Sequence, residues 1–185
     1  MIFECLPAPV RRCLFALLLR SKGVDFEGPV SIIGKMPLIH GGGLLKIGKD
    51  TIFDSRLCRH QIRVSDGAVL RIGRGVYLNE GVDIAAYMHI EIGDLTRLAP
   101  HVCIMDYDFH DITPDRPARK EPIKIGYNVW IGTKCVILRG SSIGDHSIIG
   151  AGSVVKGHIP DRCIAVGNPA QVIRRFQADD RWARP

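Results

Sequence analysis

His110 is the residue in this sequence best placed to do chemistry. It sits in the run Asp106-Tyr107-Asp108-Phe109-His110-Asp111, where carboxylates recur at alternate positions. In an extended segment alternate side chains share a side, so Asp106, Asp108 and His110 are expected together. A carboxylate beside an imidazole orients the ring and favours the imidazolium that forms when the ring takes a proton, as a general base requires. No serine and none of the six cysteines stands in a nucleophile motif, and no Cys-x-x-Cys pair points to zinc or redox work. Proton transfer without a covalent intermediate on the protein is the chemistry to expect.

The element that must position His110 is a loop, residues 105–122, which breaks an otherwise regular pattern. Its three prolines and many charges mark it as standing out from the body, where binding and catalytic residues concentrate. Around it, aliphatics recur every six residues: Ile125, Ile131, Ile137, Ile143, Ile149 and Val155. Glycine follows at Gly126, Gly132, Gly144 and Gly150, and Val129, Cys135, Ser141, Ser147 and Ser153 stand four residues after an aliphatic. The pattern appears earlier at Ile72-Gly73, Leu78, Ile84 and Ile90, resets at Ile92-Gly93, Leu98-Ala99 and Ile104, and has a weaker copy at Ile47-Gly48.

A period of six fits neither a helix nor simple alternation. It fits short strands joined by tight corners, three hexads closing one triangular turn with the aliphatics inside. Asn128, Gly140 and Gly152 fall at corners and tolerate positive φ. The fold class expected is an all-β solenoid, a parallel β-helix over residues 30–176. A short N-terminal helical segment (1–29) and a C-terminal tail (177–185) flank it, and residues 1–29 and the chain after Val172 are the candidates to cap the open ends of the coils. Cys103 and Cys135 are expected to face inward as small hydrophobes.

Apolar content of 46% and charged content of 24% are those of an ordinary globular chain. The net charge of +6 is scattered, with no basic run longer than two residues, which argues against nucleic acid and fits an anionic small ligand or a modest surface bias. Cys13 to Leu19 is an apolar run fenced by Arg11, Arg12 and Arg20. It is too short for the ~20 residues a bilayer span needs. It reads as a helix packed on the body, or as one lying on a membrane surface in peripheral contact. With no Cys-x-x-Cys pair and no small-residue cleavage site after the apolar run, a reduced, cytoplasmic protein without a signal peptide is the expectation.

Residues 30–176 resemble the hexapeptide-repeat acetyltransferases, above all the galactoside and maltose O-acetyltransferases and the sugar acetyltransferases of cell-surface polysaccharide synthesis. The resemblance rests on Asn128-Val129-Trp130-Ile131-Gly132, on IIGAGSVVKGHIP and AVGNPAQVIRRF, and on His110 following IGDLTRLAPHVCI. It implies a left-handed coil, a homotrimer with the site between subunits, and acetyl-CoA as cosubstrate with no metal. It also implies that His110 is the base and that Asn79, Asp108 and Trp130 lie at a small-molecule acceptor. The cosubstrate would run along Trp130, Thr133, Gly150 and Ala151, with Lys156 and Arg174 toward its phosphates. The chain departs from the galactoside enzymes at Ala85-Ala86-Tyr87, where they carry paired aspartates that help hold the sugar.

Other readings keep the same coil. N-acetylation of an amino sugar would use the same base and cosubstrate, and a non-catalytic scaffold would use neither. Serine acetylation calls for a long helical N-terminal region that this sequence lacks. A zinc site of the γ-carbonic-anhydrase kind needs a His-x4-His pair, and the seven histidines contain none.

Overall fold

A computed structural model describes residues 23–184. The expected N-terminal helix and the cysteines at 5 and 13 lie outside these residues. Short parallel strands wind into a three-sided prism whose faces are three sheets. Among the described residues, the first face carries seven strands, from Asp25–Phe26 to His158–Ile159. The second carries eight, beginning at Ser31–Gly34, and the third six, from Leu38–His40 to Val154–Val155. One turn of the coil is Val69–Ile72, Tyr77–Leu78 and Asp83–Ala86, one strand per face. The ladder reaches back to Asp25–Phe26, paired with Lys46–Ile47, earlier than the expected start at residue 30.

The six-residue aliphatics line the interior: Ile72, Leu78, Ile84, Ile90, Leu98, Ile104, Ile131 and Ile149 are all buried. Stacked coils place each against its equivalent, Leu78 beside Leu98 and Leu98 beside Ile131. The small side chains four positions on are buried too, and the hydroxyls among them satisfy corner carbonyls. Ser141 Oγ donates to Val155 O at 3.1 Å, Ser147 Oγ to Pro160 O at 2.6 Å and Ser153 Oγ to Gly150 O at 2.6 Å. A buried hydroxyl without such a partner would cost ~1–3 kcal/mol.

The corners turn through left-handed residues. Asn128, Gly140 and Gly152 have φ of 52°, 70° and 71°. The glycine after the aliphatic has a different cause, because Gly126 and Gly93 have no positive φ. A Cβ at Gly126 would collide with the Asp145 carboxylate, and one at Gly93 would stand 2.5 Å from the Gly126 carbonyl carbon. Close approach of the next coil excludes a side chain there.

Cys135 is buried as expected, but Cys103 faces outward on the third face, half-covered, in register with Asp83 and Val136. It precedes Ile104 in the hexad, and the residue before the inward aliphatic points out. The coil end is capped by Ala170–Arg175, which pairs antiparallel with Cys163–Gly167 and closes the second face. No helix among the described residues is long and apolar enough to cross a membrane.

Candidate active site

The 105–122 loop leaves the prism at the corner between the third and first faces, on a stem in which Tyr107 pairs with Lys120. Asp106, fully buried, anchors its base by accepting hydrogen bonds from the amides of Tyr87, Met88 and His89 at 2.7, 2.9 and 2.8 Å. Asp108 is bound to Arg139 Nε at 2.6 Å, and the same guanidinium meets Glu121 at 2.7 Å. Tyr87, Tyr107 and Phe109 pack ring on ring with centroids 5.1–5.3 Å apart.

His110 stands at the surface of this loop. The expected row of Asp106, Asp108 and His110 does not form. Phe109 has a φ of 65°, which breaks the extended segment, and the His110 amide turns back onto the Asp108 carbonyl at 2.8 Å. Both carboxylates are taken, one by three amides and one by Arg139, so neither orients the imidazole. The His110 ring is left free to meet a ligand or a neighbouring chain.

Asn79 and Trp130 come together elsewhere, on the second face, which lies opposite the corner that carries the loop. They line a cavity of about 560 Å³ with Tyr77, Arg97, Trp182 and Arg184. Tyr77, Arg97 and Trp130 are successive rungs of one outward ladder. Asn79 Oδ1 accepts from the Glu80 amide at 2.8 Å, which fixes its side chain at the cavity edge. The tail after Phe176 covers the other side. Trp182 stacks on His146 with centroids 5.9 Å apart, Asn128 Nδ2 donates to Trp182 O at 2.8 Å, and Arg184 donates to the Asn128 carbonyl.

Thr133, Gly150 and Ala151 gather at the corner between the second and third faces, where the Gly152 amide donates to Thr133 O at 2.8 Å. A Cβ at Gly132 would stand 2.6 Å from the Ala151 nitrogen, so the wall here is bare backbone. Lys156 lies one corner further on, exposed, and Arg174 lies exposed on the capping hairpin. The structure thus brings Thr133, Gly150 and Ala151 together and keeps Lys156 and Arg174 apart from them. Among the described residues, no three histidine, cysteine or acidic side chains group as a metal site.

Sequence reasoning missed Arg97, Tyr77, Trp182, Arg184 and Arg139. Arg97 and Tyr77 carried a signal, since both precede an inward aliphatic and occupy the slot that Trp130 occupies before Ile131. The tail residues follow no repeat, and a tryptophan in a charged segment was the cue available.

A family profile described as bacterial transferase hexapeptide (six repeats) matches residues 122–157. Over 143 residues the chain is 31% identical to an Escherichia coli K12 protein, WbbJ, described as a lipopolysaccharide biosynthesis O-acetyl transferase; the match covers 65% of this chain and 73% of the relative. The chain belongs to the hexapeptide-repeat acetyltransferase family. Its fold is the parallel β-helix expected from the sequence, with the left-handed coil that the resemblance implied. A galactoside O-acetyltransferase of Escherichia coli K12 is 35% identical over 134 residues, 71% of this chain and 66% of the relative. A protein of Mycobacterium tuberculosis described as an acetyltransferase is 40% identical over 124 residues, 64% of this chain and 41% of the relative. The chain therefore spans less than two thirds of the length of these last two. The solved structure of the N-acyltransferase AntD from Bacillus cereus, in complex with dTDP and 3-hydroxybutyryl-CoA, shares the fold with a TM-score of 0.70 at 20% identity, covering 88% of each chain.

Proposed function

We propose that this protein is an acetyl-CoA-dependent O-acetyltransferase that modifies a hydroxyl of a sugar or similar small acceptor in cell-surface polysaccharide synthesis. It works as a homotrimer with its sites between subunits. The observation that carries this reading is the separation just described. A base must come within hydrogen-bond reach of the proton it removes, yet in one chain the prism stands between His110 and the cavity of Asn79 and Trp130. Packing three prisms side by side sets the loop of one against the second face of the next, and completes the site.

In that site the His110 imidazole takes the acceptor's hydroxyl proton as the oxygen attacks the thioester carbonyl. The tetrahedral oxyanion is held by donors, with the Asn79 amide among them, and collapses by breaking the carbon–sulfur bond. The imidazolium returns its proton to the leaving thiolate, giving an acetyl ester and free CoA. The bare backbone at Gly132, Gly150 and Ala151 accommodates a thin pantetheine chain, and Lys156 and Arg174 offer charge-assisted bonds to its phosphates.

Galactoside and lipopolysaccharide-related O-acetyl transferases among the relatives favour a hydroxyl acceptor. The second reading is N-acylation of an amino sugar, the kind of reaction for which AntD, an N-acyltransferase, is the example among the similar structures. Thiol release from acetyl-CoA over a panel of sugars and amino sugars tests both. Release with a hydroxyl acceptor supports the first reading, and release confined to amines replaces it with the second. CoA that at millimolar concentration neither raises the melting temperature nor quenches Trp130 contradicts both, because a ligand held by the native state stabilises it by about 2.7 kcal/mol at ~100 times Kd.

A further inference from the structure

The cavity on the second face is electrostatically unbalanced. Two guanidinium groups line it, those of Arg97 and Arg184, and no acidic side chain does. Arg97 Nε is buried without a hydrogen-bond partner among the described residues, while its Nη2 donates to the Arg184 carbonyl oxygen at 3.0 Å. Arg184 gives its own hydrogen bonds to neutral carbonyls, those of Asn128 and His146. The Asp54 carboxylate, which accepts from the hydroxyl of the lining residue Tyr77 at 2.7 Å, is already held by Arg56 at 2.6 Å. Burial, and then the positive charge of Arg97, push the Arg184 pKa down. A buried guanidinium nitrogen left unpaired is costly, and a ligand that pairs with it recovers that cost. The rest of the lining is aromatic: Trp130 and Trp182 are each almost half exposed, at 46% and 41%.

We infer that this cavity takes an anionic acceptor, a sugar bearing a carboxylate or phosphate that Arg97 binds while the ring's apolar face lies on the two indoles. The inference rests on the transferase reading and narrows its substrate class. A guanidinium matches carboxylate and phosphate oxygens with two parallel hydrogen bonds. Indole faces suit the C–H side of a sugar ring. A neutral sugar would leave the Arg97 nitrogen unpaired, and sites with unpaired polar groups discriminate strongly against such ligands.

The test is binding of glucose, glucuronate and glucose 1-phosphate to the full chain, followed by tryptophan fluorescence and calorimetry. At least one charged sugar should bind about tenfold or more tightly than glucose, the size of one charge-assisted hydrogen bond. Glucuronate against glucose 1-phosphate tells carboxylate from phosphate. Arg97→Gln should abolish the preference while leaving acetyl-CoA binding unchanged, and Arg97→Lys should keep part of it. Equal binding of all three sugars overturns the inference, as does a preference that survives Arg97→Gln. A loss falling equally on acetyl-CoA overturns it too, by assigning the guanidinium to the cosubstrate. Should Arg97→Gln fail to fold, the wild-type selectivity and Arg97→Lys decide. Charged-sugar preference without acetyl transfer to any sugar would count against the transferase chemistry and leave the anion site standing.

Discussion

At the scale of single residues, His110 and His60 are opposites. His110 is exposed and makes no side-chain hydrogen bond or ion pair with the other described residues, so its replacement should leave the fold intact. His110→Ala is expected to shift stability by less than about 0.5 kcal/mol, as surface changes do, and to lower kcat by ~10²–10⁴. Melting and steady-state thiol release check the two halves, and a kcat within about threefold of wild type contradicts the role of base. His60 is fully buried against Phe53, ring centroids 5.6 Å apart, with neither ring nitrogen hydrogen-bonded among the described residues. Burial pushes its pKa down to about 4, with Asp54 opposing in part. The folded state therefore binds the proton less well than the unfolded chain, where a histidine titrates near 6.5. Stability should be full above pH ~6.5 and fall as the pH drops toward about 4, by roughly 3 kcal/mol at most. Denaturant midpoints from pH 7 to 4 for the native protein and His60→Phe measure this, and equal slopes would refute it.

At the scale of elements, the corners and the loop base carry sharply different constraints. Gly126→Ala drives a methyl into the Asp145 carboxylate of the next coil, and overpacking of this kind costs about 1–3 kcal/mol. Urea unfolding of the variant checks it. Asp106→Asn keeps the shape, but its NH2 replaces one accepting oxygen and faces at least one of the three amide donors. A loss of about 2 kcal/mol is expected, with lower kcat because the His110 loop loses its anchor; unchanged values would mean that the anchor is dispensable. The coil was readable because each rung repeats: Ile131, Gly132 and Cys135 follow the same local rule as Ile149, Gly150 and Ser153. The loop was located by its prolines and charges, but its interior was not readable. Whether Asp108 faces His110 depends on Arg139, which lies on another coil, and on one left-handed residue, Phe109. The tail was less legible still, since its seat on Asn128 and His146 is a contact between segments far apart in sequence.

At the scale of the whole molecule, the prism divides the candidate site residues between two surfaces. The loop corner holds His110 without a pocket beside it, and the second face holds a pocket that no histidine lines. On the proposed function, threefold association would join the two, and sedimentation should give a trimer of the 20.4 kDa chain. The most direct measurement is complementation between two variants, His110→Ala and Asn79→Ala, each inactive alone. Carrying different tags, they are co-expressed and the mixed trimers isolated. If each site takes His110 from one chain and Asn79 from its neighbour, every mixed trimer keeps one intact site of its three, and about a third of the wild-type activity should return. Mixed trimers as inactive as their parents would contradict a shared site and return His110 and Asn79 to separate roles.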